Sequence, residues 1–425
     1  MAKETKSWIS APPEGQGPDG ARYGAFDESF EGLTASGGPI RPDRPKAEGE
    51  FDWPQRSGRD WAMEDLLSLM AWGRKRGMSD LVFTSSDGPW MRVSGIWERV
   101  GEGSVPITEL TALLNRLSRN EAAASMVGSG VELDFGCELS QGRFDKIRFR
   151  GNATAVADGW TTGLTVTLRL LPELPPSPES LGIEPELFAA LFPANGLVAV
   201  TGVMGSGKTT LLASILRRLS ETCPRHIATF ESPIECDLVS VPGRKAPVEQ
   251  SEIPRHVGSF AEAARNLTRR AADVVLIGES RDPQTIRGVL EAAEIGVTAY
   301  TTLHTRSVAD TVGRLISVFN QKEWASVVSM FLSAIRVIVQ QRLYPSPGGG
   351  RQAVREYLVL DGEARSRLLT VPIHLLSLEI ENLVQTRGQP LERAVRRAVL
   401  AGKLSPEILA GVLAEKGRRP NGDGQ

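Results

Sequence analysis

Apolar residues along this chain recur in two rhythms, one of 3.6 residues and one of two, and the switches between them outline its elements. Trp61, Leu66, Leu69 and Met70 fall on one helical face. Asp80–Thr84 and Trp90–Trp97 read as strand pieces about a turn at Ser86-Asp87-Gly88-Pro89, and a helix is predicted over 108–124. Lys146–Val156 and Thr162–Leu170 read as two further strands, with a turn at Asp158-Gly159. In the second of them Leu164, Val166, Leu168 and Leu170 alternate with polar residues. Residues 60–171 therefore read as a small α/β unit of the sensor kind.

The rhythm then stops. Residues 172–180 hold Pro172, Pro175, Pro176 and Pro178 and predict a stiff, extended linker able to transmit rotation. Over 181–361, short apolar runs alternate with helical patterns; the runs are Leu197–Thr201, His226–Phe230, Val274–Ile277 and Thr298–Thr302. That alternation is the signature of βαβ units around a parallel sheet buried on both faces. Residues 362–425 read as a largely helical region. Residues 1–58 are rich in Pro, Gly and charge, with isolated aromatics at Phe26, Phe30, Phe51 and Trp53. Such a stretch buries too little apolar surface to offset its ordering entropy, so a disordered tail is expected there.

Composition narrows the class. Of 425 residues, 41% are hydrophobic and 24% charged, as in an ordinary globular protein. The formal net charge of −2 offers no bulk attraction to nucleic acid. Cys137, Cys223 and Cys236 are scattered without a C-x-x-C pair, which indicates neither zinc nor a disulfide framework and suits a reducing cytoplasm. No run approaches the ~18 apolar residues of a membrane span. The first residues also lack the apolar core of a signal peptide, so any membrane association is expected to be peripheral and made through partners.

The chemistry is concentrated in 181–361. Gly202-Val203-Met204-Gly205-Ser206-Gly207-Lys208-Thr209 fits the phosphate-binding loop G-x-x-x-x-G-K-[ST], directly after an apolar strand and at the start of a helix. Glycines let backbone N–H groups curl around phosphates at the positive end of that helix. Lys208 is the residue type that reaches the β and γ phosphates and Thr209 the one that ligates Mg²⁺, with Thr210 following in the same turn. Asp273–Glu279 is an apolar strand ending in a carboxylate, the form of a Walker B element, expected beside the P-loop strand.

Further motifs make the chain resemble the PilT/DotB-like secretion ATPases. Phe230-Glu231-Ser232-Pro233-Ile234-Glu235 is similar to their acidic box, and Gly278-Glu279-Ser280-Arg281-Asp282 to their Walker B region. Ala292-Ala293-Glu294-Ile295-Gly296, followed by Thr302-Leu303-His304-Thr305, is similar to their histidine box. Ser79-Asp80-Leu81 and Arg148–Ala153 match earlier in the chain, and the whole resemblance spans roughly 62–361. It implies a PAS-like N-terminal domain, a RecA-like motor domain, and a homohexamer holding ATP between domains. It further implies that Glu235 polarises the attacking water and that Glu279 supports Mg²⁺ and its waters. His304 would sense the γ-phosphate or couple it to the subunit contact. Arg148, Arg150 and Arg169 would act as arginine fingers, and Asp80 would lie at an interdomain or intersubunit contact. The residue patterns also suit plainer roles: a turn cap for Glu235, a solvated strand face for the arginines and a structural histidine.

Two positions depart from the family pattern, Ser232 in place of Asp and Val297 in place of a second histidine. Both are compatible with slow or partner-dependent turnover. The lack of a tetracysteine insertion points away from pilus-assembly motors. The relaxed acidic box points toward the type IVB secretion and plasmid-conjugation branch, with pilus retraction as the alternative. Partners would then be inner-membrane secretion or pilus proteins. From other classes, a DNA-translocating helicase, a small-molecule kinase and a non-hydrolysing ATP switch were the rivals that the P-loop alone leaves open.

Overall fold

The computed structural model describes residues 61–417, apart from 94, 102, 141–145 and 173; the tail expected over 1–58 lies outside them. The described residues belong to one compact unit. Helix α1 (Met63–Lys75) leads into β1 (Met78–Thr84), β2 (Asp87–Val93) and β3 (Ile96–Arg99). Helices α2 (Ile107–Ser118) and α3 (Ala123–Gly128) precede β4 (Leu133–Ser140), β5 (Lys146–Asp158) and β6 (Thr161–Leu170). The six strands form one sheet in the order β3-β2-β1-β6-β5-β4. Leu66, Leu69, Met70, Leu110, Leu113 and Leu114 pack on Leu81, Phe83, Phe149, Val166 and Leu168, which fixes which sheet face is covered.

Several local expectations shift. The helix expected over 108–124 is two helices, because Arg119 adopts a left-handed conformation (φ 52°) that ends the first. The first hairpin turns at Ser85-Ser86 instead of Ser86–Pro89, since Thr84 pairs with Asp87. Asp87 is held in β2 because its carboxylate accepts from Gly88 N at 2.7 Å and Trp90 Nε1 at 2.8 Å. The piece expected as one strand over Trp90–Trp97 breaks at Gly95, whose φ of +85° demands glycine.

The second sheet follows α4 (Pro185–Ala190). Its elements in chain order are β7 (Gly196–Thr201), α5 (Lys208–Thr222), β8 (Ile227–Glu231), β9 (Val248–Glu252), α6 (Phe260–Asn266), β10 (Val274–Ile277), α7 (Pro283–Glu294) and β11 (Thr298–Leu303). Then come α8 (Asp310–Ile316), α9 (Trp324–Ala334), β12 (Ile335–Pro345) and β13 (Arg351–Val359). The strand order is β13-β12-β7-β11-β10-β8-β9, parallel throughout except for the β12–β13 hairpin. β7, β8, β10 and β11 are buried at every position, as a parallel sheet covered by helices on both faces requires. One face packs on α5 through Leu211, Ile215 and Leu216, the other on α7 and α9 through Ile286, Leu290, Phe331 and Leu332. Helices α10 (Gly362–Leu369), α11 (Leu376–Arg387), α12 (Leu391–Leu400) and α13 (Pro406–Gly417) complete the chain as a helical region. The α/β class, with a mostly parallel sheet and a helical C-terminal part, is the expected one.

The proline-rich segment is not a free rod. Pro178 is buried in a 3₁₀ turn (Pro178–Leu181), Arg217 of α5 donates to the Pro175 carbonyl at 2.5 Å, and Arg218 contacts Glu179. The linker therefore lies along the helix that begins at the P-loop.

Phe331 is fully buried in the larger core, whereas Trp160 stands fully exposed at the β5–β6 turn. Phe331→Ala should cost about 3–5 kcal/mol of unfolding free energy and Trp160→Ala less than about 0.5. Denaturant titration of the two variants checks this, and comparable losses would contradict the core assignment.

Candidate nucleotide site

The site begins where β7 ends. A Cβ on Gly202 would lie 2.5 Å from the Gln341 carbonyl oxygen and 2.6 Å from Ser206 Oγ, so no larger residue fits. Gly205 and Gly207 take φ of +73° and +82°, which bends the loop back toward α5. Helix α5 then starts at Lys208 with no side chain capping it. Its first N–H groups are thus left for an anion. Lys208 Nζ donates to the loop's own carbonyls, Gly202 O at 2.9 Å and Val203 O at 3.0 Å. Ser206 Oγ is buried without a hydrogen-bond partner. Thr209 is half-buried in the first turn of α5 and Thr210 is exposed beside it.

The carboxylates reach this loop from two other strand ends. Glu279 follows β10, but β11 lies between β10 and β7, so the Walker B strand is not beside the P-loop strand as expected. The gap is spanned by His304, just past β11, whose Nε2 lies 2.8 Å from Glu279 Oε1. Arg281 also contacts Glu279. Beyond β8, Glu235 forms an ion pair with Arg150 at 3.3 Å. Burial pulls the Lys208 ammonium below the usual lysine range, while the charges of Glu279 and Glu235 oppose that shift. Both carboxylates are therefore within electrostatic reach of the P-loop lysine.

Glu231, at the end of β8, is fully enclosed. Thr229 Oγ1 donates to it at 2.6 Å and Gln250 Nε2 at 3.1 Å. Burial nonetheless pushes its pKa up to about 7, with Glu235 and Glu252 adding to the rise. Glu252 is buried as well and accepts from Ile234 N at 3.2 Å. The N-terminal sheet presses on this acidic loop. A Cβ on Gly136 of β4 would lie 2.7 Å from Glu252 Oε2, and Arg148 of β5 reaches Asp237 at 3.2 Å.

The three arginines part company. Arg150 pairs in register with Arg169, and Arg169 with Asp80, so the three form a row across β5, β6 and β1. Arg150 turns to Glu235, while Arg148 sits between Glu138 at 3.0 Å and Asp237. Arg169 donates to Asp80 Oδ1 at 2.8 Å, with its guanidinium mostly exposed. Arg169 thus meets its counter-charge one strand away, in its own sheet. Asp80, 5% exposed, accepts this hydrogen bond inside the first sheet. Sequence reasoning left Glu231, Asp237, Gln250 and Glu252 out of the site. Glu231 ends an apolar strand just as Glu279 follows one, and that was the available signal. The other three come from a polar loop and edge strand with no local signature.

Comparison with known proteins places the chain in a family. The type II/IV secretion system protein family model matches residues 154–370. The type IV pilus retraction ATPase PilT of Pseudomonas aeruginosa is 33% identical over 348 residues, covering 81% of this chain and 96% of that one. The structure of the ATPase DotB of Legionella pneumophila superposes with a TM-score of 0.78 at 33% identity, covering 84% of this chain and 97% of that one. That of the pilus retraction motor PilT with bound ADP gives 0.69 at 26% identity, covering 81% and 96%. A P-loop, two carboxylates and a histidine gathered at one sheet edge, on a chain matched along most of its length, make this protein a PilT/DotB-like member of the type II/IV secretion ATPase family.

Proposed function

We propose that this chain is a ring-forming motor that binds ATP at Gly202–Thr210 and couples its hydrolysis to a secretion machine of the type IVB or conjugative kind. The observation that carries the reading is the P-loop itself, a glycine-bent backbone with an unpartnered Ser206 Oγ running into the uncapped α5, with the His304–Glu279 and Arg150–Glu235 pairs on loops leaving the carboxyl ends of the neighbouring parallel strands. The greater structural similarity to DotB than to PilT, together with Ser232 in the acidic box, favours secretion over pilus retraction. No helix among the described residues is long and apolar enough to cross a membrane. In this reading inner-membrane proteins of the secretion machine are the partners.

The residues present fit the nucleotide. The orphaned Ser206 Oγ, the uncapped start of α5 and the bent glycine backbone all offer donors to phosphate oxygens. Thr209 and, through water, Glu279 would hold Mg²⁺, which would offset phosphate charge when bound. Lys208, satisfied by two carbonyls of its own loop, is free to exchange them for phosphate oxygens. Glu235 holds the attacking water as base once Arg150 leaves it, and Arg150 then places positive charge at the site. His304 fixes the Glu279 carboxylate. Burial of Glu231, which pushes its pKa up to about 7, reduces the negative charge it adds beside Glu235 and Glu252.

Lys208→Ala should abolish hydrolysis while changing unfolding free energy by less than about 1 kcal/mol, because the lost hydrogen bonds are offset by relief of a buried charge. Colorimetric phosphate release, followed against protein concentration, tests the motor itself. A rate per protomer that rises with concentration fits sites completed in a ring. No turnover at any concentration, with or without membrane partners, would leave only a nucleotide switch. Arg150→Ala should lose about 10³-fold in kcat with little change in nucleotide affinity; equal losses in both would remove Arg150 from catalysis.

Glu231 gives a pH test. Its folded pKa is raised, so the neutral form is favoured in the fold and stability is lost as pH rises from about 4.5 through about 7. Glu231→Gln removes that penalty. The variant's advantage over wild type should grow by about 2–3 kcal/mol between about pH 5 and about pH 8. A difference independent of pH in denaturant melts would refute the buried, protonated carboxyl.

A further inference from the structure

Arg355 lies on β13, outside the site described above, and is 1% exposed. Burying a guanidinium is costly unless every donor is used. Here its donors go three ways. Nε donates to Gln341 Oε1 at 2.9 Å, one terminal nitrogen to the Gly182 carbonyl at 3.3 Å, and the other to the Leu181 carbonyl at 3.1 Å. Glu184 stands 3.6 Å away and balances the charge. Gln341, itself buried, passes the connection on: its Nε2 donates to the Ser206 carbonyl in the P-loop at 2.8 Å. Two hydrogen-bonded side chains thus join the backbone at Leu181 and Gly182, directly after the 172–180 linker, to the phosphate-binding loop. A third, Gln389, ties the C-terminal helices to the same point by donating to Glu184 at 2.9 Å and to the Arg355 carbonyl at 3.1 Å. A cleft of about 420 Å³ opens between these partners, lined by Ser180, Gly182, Gly207, Thr210, Arg355 and Lys403.

We propose that Arg355 is a positioning residue that couples occupancy of the P-loop to the linker between the two sheets. The inference rests on the P-loop binding a nucleotide. An apolar residue would fill this place on β13 at lower cost, so packing alone does not account for an arginine. A lysine could not span the three directions that the planar fork reaches. Phosphate bound by the loop N–H groups acts on the peptide whose carbonyl Gln341 holds. The shift has a path of three hydrogen bonds, through the Gln341 and Arg355 side chains, to Leu181 and Gly182. By reciprocity, displacement of the linker must change affinity at the loop by the same factor.

Amide hydrogen exchange of the full chain, with and without saturating ADP and Mg²⁺, tests this. In the wild type, ADP should slow exchange over 180–184 by about fivefold or more. In Arg355→Met and in Gln341→Met, each saturated with ADP, the slowing should fall below about twofold. A merely structural arginine would lower the melting temperature without removing this response. Retained protection in the saturated variants overturns the proposal, as does a wild type that binds ADP with no change over 180–184. A wild type that fails to bind ADP overturns the nucleotide reading and this inference together. If Arg355→Met does not fold, Gln341→Met, which leaves the linker contacts of Arg355 in place, decides the matter.

Discussion

A parallel sheet buried on both faces leaves one place for chemistry. β7, β8, β10 and β11 all run the same way, so their carboxyl ends meet at one edge. Their flanks are sealed by apolar residues of α5 on one side and of α7 and α9 on the other, where an unpaired polar group would be costly. The loops leaving that edge carry the candidate chemistry. They hold the P-loop, the acidic loop, Glu279 and His304. The insertion of β11 between β7 and β10 sets Glu279 back by one strand spacing, about 4.8 Å. That spacing opens room between lysine and carboxylate, and His304, carried by the inserted strand, closes it from the side.

Crowding of like charge is the consequence, and the N-terminal sheet answers it. Glu231, Glu235, Asp237 and Glu252 all lie within a short stretch of β8, its loop and β9. Two responses are visible. Glu231 withdraws its charge through burial, and Arg148 and Arg150 bring opposite charge from β5. The second sheet is therefore electrostatically incomplete without the first. Because the arginine–carboxylate pairs at this junction are partly exposed, they are weak individually and easily exchanged. That suits a contact meant to open and close more than one meant to hold.

What could be read from the chain followed how local each feature is. The P-loop was legible because its glycines, its strand and its helix are contiguous. The central strands were legible as continuous apolar runs. β12 was not, since Arg336, Gln340, Gln341 and Arg342 interrupt its run, and β9, an edge strand reading Val-Glu-Gln-Ser-Glu, looks like loop. β4 carries a clean alternation of Leu133, Phe135, Cys137 and Leu139 that was overlooked. Strand order leaves no trace in sequence, so the place of β11, and with it the distance from Glu279 to the P-loop, could not be deduced. The same holds for Arg169. Three arginines on neighbouring strands look equivalent until the register of β1 against β6 puts Asp80 beside one of them.

The linker was legible as stiff but not as bound, and the difference bears on how force would pass through the chain. A free proline rod would transmit rotation only between its ends. Here the segment is held along α5, by Arg217 at Pro175 and Arg218 at Glu179. At its far end Leu181 and Gly182 meet Arg355, which connects through Gln341 to the loop at the start of the same helix. Linker, α5 and P-loop thus form a closed circuit of contacts. Moving the N-terminal sheet without straining the phosphate-binding loop would require breaking the circuit at one of these points. The surface pairs Arg217–Pro175 and Arg218–Glu179 are the weaker members and the buried Arg355–Gln341–Ser206 path the stronger. When the N-terminal sheet moves, the surface pairs should therefore yield first, while the buried path keeps the Leu181–Gly182 backbone tied to the phosphate-binding loop.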